Sequence, residues 1–492
     1  MTPGLNKVIG DEILKGYTKD TNSHFLARRF FEGGIKVQKI SVIPDDIDLI
    51  AREIRDFSAK YTHVVTTGGV GPTHDDVTFE GVAKAFSDTV SLNKELLALV
   101  DRYFGKQENE NSTVYKLAKV PTTAQLLWGT HKRTGKKSLY PVIRVRNVTV
   151  FPGIPRLLER AFNMLENEFF DKNSESFHSA AVYIDIGEFD VAHILTALQE
   201  KFKNRVNVGS YPKLNHSYYK VKIMLDSHDA FDLKLATEEL MQHLPAESVV
   251  QYDDEPMVDF AQKFEVFLAK TQQINSSLAA KINNAIESVE KALQRYSLDE
   301  LCIALNGGKD CTALLHLVHV VIAKNSKNNA ESETQKLKAL YIHDGDVFEE
   351  LTTFTKQTAE RYSLELITIR GKIKSSLNQL KLSHPQIKAV FMGTRHADIS
   401  YTLECFAMTD ADWPEYMRIS PLLNWKYRDI WNFIRGLWLP YCAIYDQGYT
   451  SVGRKSSTVK NAALQFRDGF GLEHYRPAYM LADESLERNG RS

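Results

Sequence analysis

The sequence predicts an α/β protein: two doubly wound parallel-sheet domains, with a small α+β subdomain after the first. Two observations carry that expectation. Short apolar runs alternate with segments of helical periodicity from about Val8 to Glu166 and again from Leu301 onward, a rhythm that implies parallel strands covered on both faces. In each stretch, one apolar strand runs into a glycine-rich loop and then a helix: Gly68-Gly69-Val70-Gly71 in the first, Asn306-Gly307-Gly308-Lys309 in the second. Ligands of open α/β sheets sit outside such carboxyl ends of strands.

The chain has 492 residues, enough for about two to four domains. Hydrophobic content of 43% and charged content of 25% are those of an ordinary globular protein. A net charge of −1 provides no global field for nucleic acid or an anionic membrane. Cys302, Cys311, Cys405 and Cys442 show no C-x-x-C pairing, so neither a zinc site nor a disulfide frame is expected, and reduced thiols fit a cytoplasmic setting. The start, MTPGLNKVIGDEILKG, has no apolar signal core or Arg-rich leader, and no stretch is long and apolar enough to span a bilayer. A homo-oligomer is compatible with all of this.

Taken in order, Lys7 to Gly10 is a short first strand. Thr21 to Glu32 has Phe25, Leu26, Arg29 and Phe30 at helical spacing, with Gly33-Gly34 as the stop. Ile35 to Ile43 alternates like a strand, Asp45 to Lys60 repeats helix periodicity, Thr62 to Thr67 is an apolar strand, and a helix lies near Glu80 to Phe86. Between the last two, Gly68, Gly69 and Gly71 allow close backbone approach. The adjacent Asp75 and Asp76 can hold a divalent cation through oxygen ligands or simply cap the next helix. Ala180 to Asp226 reads strand, helix (Val191 to Phe202), strand (Val206 to Ser210), strand (Tyr218 to Leu225). Gln251 to Leu298 is polar and helical, with Phe264, Val266, Phe267 and the run from Ile274 to Leu293 as its apolar face.

The last third is organised around Leu301 to Leu305, a short buried strand, the loop Asn306 to Thr312, and a helix from Ala313. The first turn of such a helix offers unpaired N–H groups and a positive dipole end, which suits a phosphate. Lys309 adds a mobile positive charge, and Asn306, Cys311 and Thr312 add small polar groups. The G-x-x-x-x-G-K-[ST] spacing of a Walker A loop is absent. Lys324 to Thr334 is an exposed loop; Lys338 to His343 and Leu364 to Ile369 are strands flanking a helix from Phe354 to Tyr362. Lys388 to Met392 is a strand running into Gly393-Thr394-Arg395-His396-Ala397-Asp398. Arg395 can pair bidentately with phosphate, and Asp398 can accept from the N–H groups of a heteroaromatic ring. Trp413 and Trp425 can stack on a flat ring, whereas Trp431 belongs with the core stripe of Ile430, Phe433, Ile434 and Leu437. Arg476, Arg488 and Arg491 place cations where a tail can fold over an anion or simply fray.

Several motifs resemble known families. Gly10-Asp11-Glu12-Ile13-Leu14, Thr21-Asn22-Ser23, the G-G-V-G-P-T-H-D-D loop, Val120-Pro121 with Thr122-Thr123-Ala124, and Phe151-Pro152-Gly153-Ile154-Pro155 resemble the molybdopterin-binding domain family in its competence-damage-inducible branch. Val206 to Pro212 resembles the small subdomain that follows it, and Thr123 stands where many relatives have Gly. The 306–312 loop resembles the pyrophosphate loop of the ATP pyrophosphatase superfamily, with Asn306 for the usual first Ser and Cys311 where a hydroxyl is common. Together with M-G-T-R-x-x-D, R-I-S-P-L-L-N-W-x-Y-R-D-I-W, P-Y-C-x-x-Y-D-x-G-Y-T-S and E-R-x-G-R, it is similar to the eukaryotic FAD synthase family, of phosphoadenylyl-sulfate-reductase-like fold and animal-type architecture. Ile399-Ser400 departs from the D-P-Y continuation usual there.

That resemblance implies transfer of AMP from ATP to FMN, giving FAD and pyrophosphate, with Mg²⁺ on the phosphates and apo-flavoproteins as recipients. It implies Asn306, Asp310, Arg488 and Arg491 as catalytic residues. ATP contacts would come from Asn306 to Thr312, His343, Gly393 and Arg395, and flavin contacts from Asp398, Trp413, Arg418 and Trp425. In the first domain it implies a pocket at Gly68, Gly69, Gly71, Asp75 and Asp76, the two aspartates as metal ligands, and a metal-dependent FAD pyrophosphate hydrolase or a regulatory role. The alternative is a molybdenum-cofactor-related enzyme acting through that domain. A sulfur-assimilation reductase needs a reactive Cys near the C-terminus, whereas the last one here is Cys442. The expected division is 5–170, 175–255, a helical linker at 256–297, and 298–492.

Overall fold

A computed structural model describes residues 4–106, 112–131, 135–170, 176–213, 216–326, 336–399 and 401–491. The chain divides into two units, the first holding residues up to Ala181 with His193–Gly209 and Met224–His243, the second holding Val182–Ala192, Ser210–Ile223 and Leu244 onward.

The first unit begins β1 (Gly4–Ile9), α1 (Asp11–Leu14), α2 (Asn22–Glu32), β2 (Val37–Ile43), α3 (Ile47–Lys60), β3 (His63–Thr67) and α4 (Thr78–Ala85). It continues β4 (Val90–Leu92), α5 (Lys94–Phe104), β5 (Lys119–Pro121), β6 (Gln125–Leu127), β7 (Val142–Val145), β8 (Val148–Phe151) and α6 (Pro155–Leu165). Six strands form one sheet of order β2-β1-β3-β8-β7-β6. β1 pairs in parallel with β2 and β3, β3 is parallel to β8, and β7 and β6 complete the sheet antiparallel. One face buries Ile50, Ile54, Val64 and Val82, the other Leu26, Phe30, Val65 and Phe162, as strands covered on both sides require. Helix starts follow local chemistry: Asp46 caps α3 by accepting from Leu49 N, and Asn93 caps α5.

Next come β9 (His178–Ile184), α7 (Glu188–Lys201), β10 (Asn207–Pro212), β11 (Val221–Ser227), α8 (Ala230–His243) and β12 (Val249–Val250), a four-stranded sheet of order β10-β11-β9-β12 with helices. Helix α8 is absent from the sequence reading. Its apolar residues lie on both faces, Leu233, Ala236 and Leu240 buried but Phe231 and Leu235 exposed, which blurs the periodicity.

The second unit continues with α9 (Phe260–Ile274), α10 (Ser276–Arg295), β13 (Leu301–Ala304), α11 (Lys309–Ser326), β14 (Lys338–His343), α12 (Glu349–Arg361), β15 (Glu365–Arg370), α13 (Ile373–Ser383) and β16 (Ala389–Phe391). It ends with β17 (Phe406–Met408), β18 (Met417–Ile419), α14 (Tyr427–Gly436), β19 (Gln465–Arg467) and β20 (Glu473–Tyr475). The main sheet runs β15-β14-β13-β16-β18-β17, parallel except for β17. The chain order reverses between β13 and β16, so their tips make the crevice in which such sheets place ligands. Residues 256–297, expected as a helical linker leading into the last domain, carry α9 and α10. The inner face of α10, Leu278, Ile282, Ala285 and Val289, lies in the same core as Ile303, Leu315 and Phe433.

Two local expectations are corrected, and one strand is added. Helix α11 starts at Lys309 rather than Ala313, because the Gly308 carbonyl already accepts from both the N–H and the hydroxyl of Thr312. Lys324 to Ser326 continue α11, and residues 327–335 lie outside the described residues. Strand β18, only three residues between Pro414 and Pro421, was hidden in an aromatic-rich block. No helix among the described residues is long and apolar enough to cross a membrane. The four cysteines are unpaired.

Candidate active site

Strand β13 delivers Asn306 to Gly308 to the head of α11. The turn needs glycine: Gly307 has φ 76°, and a Cβ there would stand 3.0 Å from the Leu351 carbonyl oxygen. Asn306 Oδ1 accepts from Gly308 N at 2.9 Å, and the Tyr445 hydroxyl accepts from Lys309 N at 3.0 Å. The tip of β16 arrives alongside. A Cβ on Gly393 would lie 3.1 Å from Cys311 N, a tight contact, so the missing side chain eases the close approach of the two loops.

At this junction four charges close into a ring. Lys309 Nζ lies 2.6 Å from Glu487 Oε1 and 3.1 Å from Asp310 Oδ2. Arg395 Nε lies 2.7 Å from Asp310 Oδ1, and its Nη2 lies 2.6 Å from Glu487 Oε1. Lys309 and Arg395 are 2% and 1% exposed. Burial works against both cations, but Asp310 and Glu487 outweigh it and hold each above its ordinary pKa. Two cations and two carboxylates make the ring neutral, the condition for keeping such charges out of water. Lys309 is therefore fixed rather than mobile. Arg395 Nη1 and Nε are both buried with no hydrogen-bond partner, Nε meeting Asp310 Oδ1 as an ion pair only, so guanidinium donors are left over.

The other expected residues separate. Asp398 accepts from Arg395 N at 3.1 Å and pairs with Arg488 Nη1 at 3.3 Å. Arg491 donates its backbone N–H to the Arg488 carbonyl at 2.9 Å, its Nη1 donates to Ser451 Oγ at 3.3 Å, and its guanidinium covers Gly453. Thr312 spends its hydroxyl on the Gly308 carbonyl, and burial pushes the Cys311 thiol up to about 12. His343, at the tip of β14, stacks on Tyr341 with Nδ1 unpartnered. Arg418 Nη2 donates to the Met408 carbonyl at 2.8 Å, on the β17 side. Trp413 is half-buried, with Lys374 Nζ 5.8 Å from its ring centre. Trp425 is a correction: it is 3% exposed and meets Phe433 edge-on at 5.3 Å, so burial in the core has taken it from any stacking surface. Ser400 lies outside the described residues.

Sequence reasoning missed Glu487, Tyr445, Thr450 and Asn461. Thr450 Oγ1 donates to the Glu487 carbonyl at 2.6 Å, and Asn461 Nδ2 to the Leu486 carbonyl at 2.7 Å, so the tail is docked rather than frayed. The available signal was the Glu of E-R-x-G-R, which sits beside the arginine that drew attention.

In the first unit, Gly68 has φ 101°, and a Cβ there would meet the Ile9 carbonyl oxygen at 2.1 Å. Asn22 Nδ2 donates to Thr67 Oγ1 and to the Gly153 carbonyl, both at 2.8 Å, which fixes the strand tip. Gly69, also at positive φ, packs against Thr78, and Gly71 against Asp76. Asp76 turns back to accept from Thr73 N at 2.9 Å, while Asp75 is exposed beside His74. Both carboxylates engage Thr73, and no three His, Cys, Asp or Glu side chains among the described residues are grouped to hold a metal. These residues do not fit a protein-built cation site.

Three family models match in succession: "Probable molybdopterin binding domain" over residues 7–171, "FAD synthase, middle domain" over 176–253, and "Phosphoadenosine phosphosulfate reductase domain" over 300–386 and 372–460. A "Probable FAD synthase" of Caenorhabditis elegans is 38% identical over 504 aligned residues, covering 99% of this chain and 96% of the worm protein. This chain belongs to the FAD synthase family. A Caenorhabditis briggsae member of the family, also a "Probable FAD synthase", is 38% identical over 100% of this chain and 98% of its own. The crystal structure of Candida glabrata FMN adenylyltransferase, in complex with FMN and the ATP analogue AMPCPP, is 26% identical, covers 47% of this chain and 99% of its own, and has a TM-score of 0.42.

Proposed function

We propose that the tips of β13 and β16 form the site at which this chain transfers AMP from ATP to the phosphate of FMN, giving FAD and pyrophosphate. The observation that carries this reading is the neutral buried ring at the head of α11, with a spare Arg395 donor and Arg488 beside it, in a member of the FAD synthase family. A phosphate monoester is already a competent nucleophile. The reaction asks for positioning and charge stabilisation rather than a base or a covalent intermediate.

The loop Asn306 to Thr312 and Gly393 receive the triphosphate, Arg395 donates through Nη1, and His343 borders the adenosine. Asp398, Trp413 and Arg418 border the flavin. Asp310 holds Lys309 and Arg395 in place, Arg488 reaches the reacting phosphates from its pairing with Asp398, and Arg491 fixes the tail at Ser451. Mg²⁺ bound with the triphosphate would supply charge neutralisation beside the Asn306 to Thr312 loop.

The reading keeps domain boundaries near 170, 175 and 255 and places α9 and α10 with the last domain. It assigns the Gly68–Gly71 pocket a regulatory or FAD-hydrolysing role without a metal step at Asp75 or Asp76. It sets the protein in the cytoplasm with apo-flavoproteins as recipients. The full-length relatives lend nothing to the molybdenum-cofactor alternative.

The test is incubation of the full chain with FMN, ATP and Mg²⁺, followed by separation of the flavins. FAD is expected, and Asp310→Ala should abolish it. FAD formed undiminished by that variant sinks the site assignment. Arg488→Ala should lower kcat by about 10²-fold or more while KM for ATP changes little; an unchanged kcat removes Arg488 from the catalytic residues.

A further inference from the structure

On that reading of the site, we propose that Glu487 is a positioning residue that acts through Arg488 by clamping the C-terminal tail to the phosphate loop. The Glu487 side chain is 7% exposed, and a single oxygen, Oε1, accepts from Lys309 Nζ and from Arg395 Nη2, each at 2.6 Å. Both cations also pair with Asp310, the second residue of α11, Lys309 through the same Nζ and Arg395 through Nε. The tail therefore enters the phosphate loop as the fourth member of a closed ring. A carboxylate bonded to two buried cations is a strong, directional anchor.

Arg488 needs such an anchor. Its side chain is 47% exposed, and its pairing with Asp398, at 3.3 Å, is of the solvent-exposed kind that fixes a long side chain weakly. The neighbouring backbone is pinned separately, by uncharged bonds: Thr450 to the Glu487 carbonyl, Asn461 to the Leu486 carbonyl, and Val459 N to the Gly490 carbonyl at 2.8 Å. Those bonds keep the tail docked when the Glu487 side chain is altered. The side chain itself sets how segment 487–488 sits against Lys309 and Arg395. A displacement of about 1 Å there is enough to lower turnover about 10²-fold.

The test is a double-substitution cycle on the full-length protein, following FAD formation from FMN and MgATP in the wild type, Glu487→Gln, Glu487→Asp, Arg488→Ala and Glu487→Gln/Arg488→Ala. Glu487→Gln should lower kcat about 10- to 100-fold, with KM for ATP and for FMN within about threefold of wild type. Glu487→Asp should recover part of the loss. In the Arg488→Ala background the same Glu487→Gln change should cost less than about threefold, because the residue it acts through is gone. If Glu487→Gln does not fold, Glu487→Asp takes its place in the cycle. The proposal is overturned if kcat is unchanged in both Glu487 variants, or if the Glu487 substitution multiplies by its full factor on Arg488→Ala, the signature of an independent structural role. An Arg488→Ala protein with wild-type turnover overturns it as well. A wild-type protein that makes no FAD fails at the earlier step, the site reading itself.

Discussion

Glu487 shows why single residues are the least legible scale. It meets Lys309 across 178 positions and Arg395 across 92, and no local pattern encodes a contact of that span. Its effect on Lys309 is to turn a loop charge that reads as mobile into a fixed, buried one. Gly307 is the opposite case. A glycine pair between strand and helix announces a sharp turn, and the structure adds the reason: φ 76° and a Leu351 carbonyl oxygen 3.0 Å from where a Cβ would stand. Gly307→Ala should destabilise the protein by about 1–3 kcal/mol and lower FAD formation, measured as a fall in melting temperature alongside the activity. A variant that melts and turns over like wild type contradicts the claimed constraint.

At the scale of elements, α11 does two jobs. Its first turn carries Lys309 and Asp310, and its inner face carries His316, buried with Nδ1 3.0 Å from the Tyr362 hydroxyl, and His319 against Phe260. Burial lowers the pKa of His316 to about 3 and that of His319 to about 4, against an ordinary value of 6.5. Both stay neutral in the fold, so below about pH 6.5 the unfolded chain takes up protons that the folded chain refuses. Their contribution is whole above that pH and is lost as pH falls from about 6.5 through about 3, with a limiting slope of about 1.4 kcal/mol per pH unit per proton. Melting temperatures at pH 7, 5 and 4 should fall less steeply for His316→Gln than for wild type; parallel curves discount His316 as a source of acid sensitivity. Helix periodicity marks α11 only from Ala313 onward. The first turn is closed by hydrogen bonds to Gly308, which hydrophobic periodicity does not register.

At the scale of the molecule, the second unit is assembled from distant pieces of chain. Tyr218 donates its hydroxyl to the Leu439 carbonyl at 2.7 Å, Lys281 of α10 pairs with Asp429 of α14 at 2.5 Å, and α10 buries Ile282 and Val289 in the core. Residues 298–492 alone should therefore be poorly soluble or melt well below the full chain, since they leave that apolar face and those polar partners uncovered. A soluble fragment with the melting temperature of the full chain overturns this account. The sequence by itself determined the α/β class, the two glycine-rich strand-to-helix turns and the kind of chemistry at the second, because periodicity, glycine and short motifs are local properties. Only the tertiary structure decided that α9 and α10 belong to the C-terminal core, that Trp425 is core rather than a stacking surface, that the Arg488 side chain pairs with Asp398 and that of Arg491 with Ser451, and that Glu487 closes the charge ring. Each of these is set by burial and by pairing between residues far apart in the chain, and such pairings exist only once the chain has folded.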